Sequence, residues 1–277
     1  MEKAISTISR TLEILDKYDL RPQKKYGQNF LVDPNIVEKI ASLSADKEHI
    51  TLEIGPGIGS LTEMLAKYSK KVISYEIDDR LIPVLKENLA DLDNVEIINQ
   101  DFLNVDLNKA SFKDEIINVA ANLPYYVTTP ILFKLFESDL NIAKISVMVQ
   151  KEVADRFKAK VNDEDYNALS VIVNYLYDVK VLTQVPASVF YPRPRVDSTV
   201  ITFAPKVERD KEFEKNFFKL VKLSFTQRRK TLFNNLRNEY SSEVVEDMLK
   251  KTGMKTNIRA QELNLEDFIK IYEVLNA

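Results

Sequence analysis

From Thr51 onward, short apolar runs with the composition of β-strands alternate with stretches of helical periodicity. The strand-like runs are residues 52–54, 72–75, 95–98, 116–119, 145–149, 179–185 and 199–203. Helix-like stretches lie between most of them, at residues 60–68, 79–89, 131–137, 151–159 and 167–175. Parallel strands need long crossover connections, which are usually helices. The alternation therefore predicts an α/β fold with a mostly parallel, seven-stranded sheet and helices on both faces.

The charged segment 205–210 interrupts this alternation, and everything after it has helical periodicity. Three apolar stripes follow, one of them at Phe213, Phe217, Leu220, Val221 and Phe225. We therefore predict a first domain over residues 1–204 and a small helical domain over 205–277. A separate amphipathic helix is expected within residues 1–20.

Composition narrows the classes of site that the chain can build. Cysteine is absent, so disulfides and thiolate metal sites are excluded, and the single histidine makes histidine-based zinc binding untenable. We therefore expect no metal. The net charge of −3 argues against a general polyanion binder. No membrane-spanning stretch or signal peptide is recognisable, and we expect a cytoplasmic protein.

Three polar or glycine-rich features follow the first three strand-like runs, where parallel strands share one edge of a sheet. Gly55 and Gly57 belong to a G-x-G-x-G turn that lacks the third glycine of the dinucleotide pattern. Glu76 could accept hydrogen bonds from ribose hydroxyls, and Asp101 from an adenine amino group. Each feature alone could be an ordinary turn or a solvated acid. Together they favour an adenosine-containing ligand, of which S-adenosylmethionine fits best.

Residues 122–125, Asn-Leu-Pro-Tyr, follow the fourth strand-like run. An amide and a backbone carbonyl can accept hydrogen bonds from an exocyclic amino group, while an aromatic ring stacks on its base. An ordinary turn is the alternative, because Asn-x-Pro is also common in turns. In the context of the preceding three strands, the segment favours methylation of an amino group on a nucleobase.

Five segments resemble motifs of the ribosomal RNA adenine dimethyltransferase family: residues 25–31 (KYGQNFL), 53–57 (EIGPG), 122–125 (NLPY), 190–198 (FYPRPRVDS) and 224–232 (SFTQRRKTL). The resemblance implies a Rossmann-like class I methyltransferase that uses S-adenosylmethionine. It implies a cofactor-binding set of Asn29, Leu31, Gly55, Gly57, Glu76, Ile77, Asp101, Phe102 and Asn122. It also implies a catalytic set of Asn122, Leu123, Pro124, Tyr125 and Phe190, in which Tyr125 and Phe190 enclose the adenine.

The family's reaction is the dimethylation, at N6, of two adjacent adenines in a hairpin loop near the 3′ end of small-subunit ribosomal RNA. By resemblance, the partner is this RNA in a pre-30S particle, the enzyme is a monomer, and it contributes to small-subunit biogenesis. Basic clusters at residues 24–25, 156–160, 193–195 and 228–230 could bind phosphates, although each could also be a solvated face.

Three other functions stay open at this point. A related methyltransferase could act on large-subunit ribosomal RNA, as antibiotic-resistance enzymes do. The same fold could serve as a ribosome-assembly factor without catalysis. A DNA adenine methyltransferase is less favoured, because the sequence contains nothing that resembles a sequence-reading domain.

Overall fold

The computed structural model describes residues 4–23, 26–123, 127–206 and 208–276. The chain divides into two compact units. Unit 1 comprises Met1–Ala154 and Val179–Pro205, and unit 2 comprises Asp155–Asp178 and Lys206–Ala277.

Among the described residues, nine strands lie in unit 1 or at its border. In chain order they are β1 (Phe30–Leu31), β2 (Ile50–Ile54), β3 (Lys71–Glu76), β4 (Val95–Asn99), β5 (Ile116–Asn122), β6 (Asn141–Gln150), β7 (Tyr177–Val185), β8 (Phe190–Tyr191) and β9 (Ser198–Pro205). Seven of them form one sheet in the order β4–β3–β2–β5–β6–β9–β7. Strands β2 to β6 pair in parallel, and β9 runs antiparallel to β6. The predicted α/β class with a seven-stranded, mostly parallel sheet is confirmed.

The helices that precede or connect these strands are α1 (Ile8–Lys17), α2 (Pro34–Ser44), α3 (Ser60–Tyr68), α4 (Ile82–Asn88), α5 (Thr128–Glu137) and α6 (Lys151–Arg156). Helix α2 begins at Pro34, as the Asp33-Pro34 pair predicts. The Asp33 side chain caps the helix by accepting hydrogen bonds from two backbone N–H groups of the first turn. Pro34 has no N–H and therefore leaves no donor unsatisfied in this turn. The amino-terminal helix α1 buries Ile14 and Leu15 in an apolar cluster that also contains Phe30 and Ile58.

Unit 2 contains the helices α7 (Ala168–Leu176), α8 (Lys211–Ser224), α9 (Leu232–Leu236), α10 (Ser242–Thr252) and α11 (Leu265–Asn276). The sequence-based boundary placed residues 155–178 in the first domain, and here the structure differs. The ring of Tyr175 on α7 lies 5.7 Å from the Phe213 ring and 5.5 Å from the Phe217 ring on α8. Helical periodicity predicts α7, but it does not show whether the apolar face of this helix packs in the core of unit 1 or of unit 2.

In the part of the chain that the structure describes, no helix is both long enough and apolar enough to cross a membrane.

Candidate functional site

A cavity of about 290 Å³ opens at the carboxyl ends of β2, β3 and β5, beside the loop that follows β4. This volume lies near the lower end of the range typical of small-molecule sites. The lining contains most of the residues that the sequence singled out: Asn29, Leu31, Gly55, Gly57, Glu76, Ile77, Asp101, Phe102, Asn122 and Leu123. Their roles toward a ligand stay predictions. Pro124 and Tyr125 lie outside the described residues.

The turn after β2 brings the backbone close to the cavity because its glycines adopt left-handed conformations. Gly55 has φ +74° and Gly57 has φ +63°, a region that side chains with a Cβ rarely enter. A Cβ on Gly57 would lie 3.3 Å from the Phe30 ring. A Cβ on Gly55 would lie 3.9 Å from the carbonyl oxygen of Asn122. The turn is thus held between the β1 segment and the Asn122 motif.

Glu76 ends β3, and backbone groups hold its carboxyl group in place. Its Oε2 accepts a hydrogen bond from the N–H of Gly57 at 3.1 Å, and its Oε1 accepts one from the N–H of Asp78 at 2.8 Å. The side chain is buried, and burial raises its pKa to about 7, although these two N–H donors lower it in part. A carboxyl group in this place can accept hydrogen bonds from the hydroxyls of a ribose.

A second buried carboxyl group, that of Glu53 on β2, was not predicted as a functional residue. Its Oε2 accepts hydrogen bonds from the hydroxyls of Thr62, at 2.7 Å, and Ser74, at 2.6 Å. Burial raises the pKa of Glu53 to about 7; the hydrogen bonds from Ser74 and Thr62 lower this pKa in part, and the nearby charge of Glu76 adds to the rise. The sequence offers a signal for Glu53, because an acidic residue in a buried strand is stable only when hydrogen-bond partners offset the free energy of its desolvation.

Asp101 and Phe102 follow β4 and form the side of the cavity predicted to hold an adenine. The Asp101 carboxylate accepts hydrogen bonds from the N–H of Leu103, at 2.9 Å, and from Nδ2 of Asn104, at 3.3 Å. The Phe102 ring packs edge-on against the Tyr75 ring, with 5.6 Å between the centroids. These contacts hold the acid and the ring at the border of the cavity.

Asn122 ends β5 with its side chain held against the β1 segment. Its Nδ2 donates a hydrogen bond to the carbonyl oxygen of Asn29 at 3.4 Å. In this orientation Oδ1 is the atom of the side chain that can accept from an amino group. The arrangement suits the predicted role of Asn122 between cofactor and substrate.

Phe190 was predicted to cover one face of the adenine, and the structure places its ring elsewhere. The side chain is 5% exposed and belongs to the hydrophobic core with Leu31, Met148 and Val200. It is also absent from the described lining of the cavity. In the two-stranded sheet, Phe190 pairs with Leu31 and Tyr191 pairs with Phe30. Phe190 thus packs against the β1 segment on its core side. Contact of the Phe190 ring with a base stays a prediction, and it requires the ring to leave this core position.

A hydrogen-bonded group that the sequence did not reveal connects the first motif to the loop after β3. Gln28 donates a hydrogen bond from Nε2 to the Asp78 carboxylate at 2.8 Å, and Arg80 donates one from Nε at 2.8 Å. Burial acts to raise the pKa of Asp78, but hydrogen bonds from Arg80 and Gln28 outweigh it and keep that pKa below its ordinary value. The ionised Asp78 therefore joins the Gln28 segment to the strand end that bears Glu76.

These features fit S-adenosylmethionine. The cavity combines a close backbone approach at Gly57, a carboxyl group at a strand end and an acid beside an aromatic ring. Among the described residues, no group of three or more histidine, cysteine, aspartate and glutamate side chains could hold a metal ion.

Comparisons with known proteins show which family the chain resembles. Residues 20–277 match the family model described as Ribosomal RNA adenine dimethylase. The chain is 46% identical to Ribosomal RNA small subunit methyltransferase A of Staphylococcus haemolyticus, over 98% of this chain and 96% of the relative. It is also 46% identical to the protein of the same name from Bacillus pumilus, over 99% and 98% of the two chains.

Two solved structures share the fold over most of their length. A dimethyladenosine transferase from Plasmodium falciparum superposes with a TM-score of 0.71 at 27% identity, covering 87% of this chain and 95% of its own. The 23S rRNA methyltransferase ErmE superposes with a TM-score of 0.64 at 26% identity, covering 90% of this chain and 100% of its own.

Proposed function

Because the chain belongs to the ribosomal RNA adenine dimethylase family, we propose that it dimethylates N6 of two adjacent adenines near the 3′ end of small-subunit ribosomal RNA. S-adenosylmethionine is the methyl donor. The observation that supports this function most directly is the position of Asn122: its amide borders the cavity that Gly55, Glu76 and Asp101 also line. A methyl donor in this cavity and a base held by Asn122 would be neighbours.

S-adenosylmethionine supplies an electrophilic methyl group on a positively charged sulfur. The chain's own residues have to orient the acceptor, because the N6 lone pair of adenine is delocalised into the ring. A hydrogen bond from N6–H to Oδ1 of Asn122 favours a tetrahedral nitrogen, whose lone pair can then point toward the methyl group. No strong base is needed, and correct positioning provides most of the acceleration.

Other residues hold the two reactants in this geometry. Asn29 fixes the Asn122 amide through its carbonyl oxygen, and Glu76 offers its carboxyl group to the ribose. Tyr125 remains the predicted stacking partner of the adenine, since stacking on one aromatic ring contributes about 1–3 kcal/mol per base.

The function is tested by transfer of labelled methyl groups to small subunits that lack the modification and, in a parallel reaction, to large subunits, followed by mapping of the labelled nucleotides. We expect two adjacent dimethylated adenines near the 3′ end of the small-subunit RNA. Label confined to large-subunit RNA would favour the other RNA-methyltransferase activity. The chain is 46% identical to a small-subunit enzyme and 26% identical to the 23S enzyme. This difference does not favour activity on large-subunit RNA.

Binding of the RNA within a pre-30S particle, a monomeric state and a cytoplasmic location belong to this proposal as predictions. An assembly role can accompany catalysis. A purely non-catalytic assembly factor is not favoured, because the cavity keeps the family's acidic and amide residues.

In unit 2, the three basic residues 228–230 are all exposed. Arg228 differs in that its guanidinium donates hydrogen bonds to the carbonyl oxygens of Asp163 and Glu164 and so holds the segment before α7. We therefore assign phosphate binding to Arg229 and Lys230. Of the other clusters, Arg156 pairs with Asp165 at 3.0 Å, and residues 24 and 25 lie outside the described residues.

Reversing the charge of Arg229 and Lys230 is expected to weaken association with small subunits and to reduce its salt dependence. Each lost phosphate contact lowers the slope of log K against log salt by about 0.7–0.9. The measurement is the dissociation constant at several salt concentrations. The double variant Arg229→Lys, Lys230→Arg keeps both charges and serves as the control. Equal binding by the charge-reversed chain would contradict the assignment.

A further inference from the structure

Lys134 on α5 is bound to a loop that lies far from it in the sequence. Its Nζ donates hydrogen bonds to the carbonyl oxygens of Leu103, at 2.7 Å, and Val105, at 2.6 Å. The same atom lies 5.8 Å from the centroid of the Phe102 ring. One ammonium group therefore contacts the backbone and an aromatic ring of the loop that borders the cavity after β4.

The Phe102 ring of this loop also packs against the Tyr75 ring on β3. Among the described residues, the other hydrogen bonds of residues 102–106 are local: the N–H of Leu103 donates to the Asp101 side chain, and the N–H groups of Asn104 and Val105 donate to carbonyl oxygens of the loop. Charge-assisted hydrogen bonds are about twice as strong as neutral ones. Lys134 thus connects this loop to α5 through two charge-assisted hydrogen bonds.

The environment of Lys134 is unusual for a lysine. Burial lowers its pKa, and the charges of Asp101 and Asp106 act in the opposite direction. Asp106 forms its ion pair with Lys109, at 3.0 Å. Lys134 instead points its ammonium group at two carbonyl oxygens, a geometry that orders the backbone rather than neutralising a charge.

Helix α5 follows the Asn122 motif directly, and Ile131 of this helix lines the same cavity. Lys134 stands one turn further along, so it connects the helix after the substrate-side motif to the loop on the adenine side. We propose that Lys134 is a positioning residue: it sets Asp101 and Phe102 for the adenine of the cofactor and couples that subsite to the Asn122 side. This inference rests on the proposed function.

The test compares Lys134→Met with the wild-type chain in binding S-adenosylhomocysteine, measured by calorimetry. Methionine keeps much of the apolar stem but removes the donors. We expect the dissociation constant to rise about tenfold, because the loop that bears Asp101 and Phe102 loses the two hydrogen bonds that order its backbone. Lys134→Arg, which retains the charge and the donors, should recover most of the affinity. Lys109→Met removes an exposed lysine from the same loop and should bind like wild type.

Two further readouts separate positioning from general stability. S-inosylhomocysteine has a carbonyl oxygen in place of the adenine amino group, so wild type should prefer the adenosyl compound, and Lys134→Met should lose much of that preference. If Lys134 acts through Asp101, the double variant Lys134→Met, Asp101→Asn should lose less binding free energy than the sum of the losses in the two single variants. In the ligand-free chain, amide hydrogen exchange should accelerate at residues 103–105.

Unchanged affinity and unchanged preference in a folded Lys134→Met variant would overturn the proposal. If that variant does not fold, Lys134→Gln replaces it: its neutral amide removes the charge and can donate to only one of the two carbonyl oxygens, so a smaller loss of affinity is expected, and wild-type affinity and preference would overturn the proposal. Failure of the proposed function is a different result, because the wild-type chain would then bind neither compound or transfer no methyl group.

Discussion

Replacing Asn122 with alanine is expected to reduce methyl transfer by about a thousandfold or more while cofactor binding stays measurable. Its Oδ1 is the acceptor that we assign to N6–H, and its Nδ2 donates to the Asn29 carbonyl oxygen at 3.4 Å. Alanine removes both interactions. The cofactor retains the glycine turn, Glu76 and Asp101, so the loss should fall mainly on turnover. The measurement is transfer of labelled methyl groups to unmodified small subunits under single-turnover conditions.

The matched control is Asn108→Ala, which removes an exposed asparagine side chain from the same unit. This variant should methylate at the wild-type rate. S-adenosylhomocysteine binding, measured on both variants, separates a catalytic defect from a collapsed cavity. Turnover by Asn122→Ala near the wild-type rate would contradict the assignment of Oδ1 as the acceptor.

Replacing Glu76 with glutamine is expected to weaken S-adenosylhomocysteine binding by about 100-fold, since a buried hydrogen bond to a charged group contributes about 1.5–3 kcal/mol. Glutamine has one acceptor oxygen where glutamate has two. It therefore cannot accept from both backbone donors, the N–H groups of Gly57 and Asp78, and still offer an acceptor to each ribose hydroxyl.

Glu76→Gln should also remove the pH dependence of S-adenosylhomocysteine binding. Burial raises the pKa of Glu76 to about 7, so the ligand-free chain holds a proton there below that pH. Ribose hydroxyls bind best to the ionised carboxylate. Affinity should therefore rise as the pH increases through about 7, with release of a proton, and level off above it. Calorimetry between pH 6 and pH 8.5, in buffers of different ionisation enthalpy, measures both effects.

Glu96→Gln is the control for Glu76→Gln. Glu96 lies on the adjacent strand β4 and forms an ion pair with Lys71 at 2.6 Å, partly exposed to solvent. Its removal should leave the affinity and its pH dependence unchanged. A wild-type affinity that is flat from pH 6 to pH 8.5 would show that Glu76 is ionised throughout, contrary to this expectation.

Much of unit 1 follows from local sequence patterns. The predicted helix 60–68 matches α3 at both ends, because a glycine turn precedes it and its apolar spacing is regular. Each predicted strand-like run falls within a strand of the seven-stranded sheet. Parallel strands buried on both faces read as continuous apolar runs, which makes them easy to recognise.

The parts that could not be predicted depend on partners distant in the sequence. Strands of two residues, such as β1 and β8, contain no periodicity, so their pairing was invisible. The burial of Phe190 follows from that pairing, since one of two neighbouring residues on a strand faces the core. The use of Arg228 to bind backbone carbonyl oxygens also has no local signature.

The pairing of β1 with β8 also determines when unit 1 can complete its fold during synthesis. Chains emerge from the ribosome amino terminus first, at about 5–20 residues per second. Phe30 and Leu31 of β1 line the cofactor cavity, but their partner strand is made only after most of unit 1. A nascent chain that ends before Phe190 therefore contains every glycine and acid of the cavity and still lacks the strand that pairs with β1 and fixes one wall.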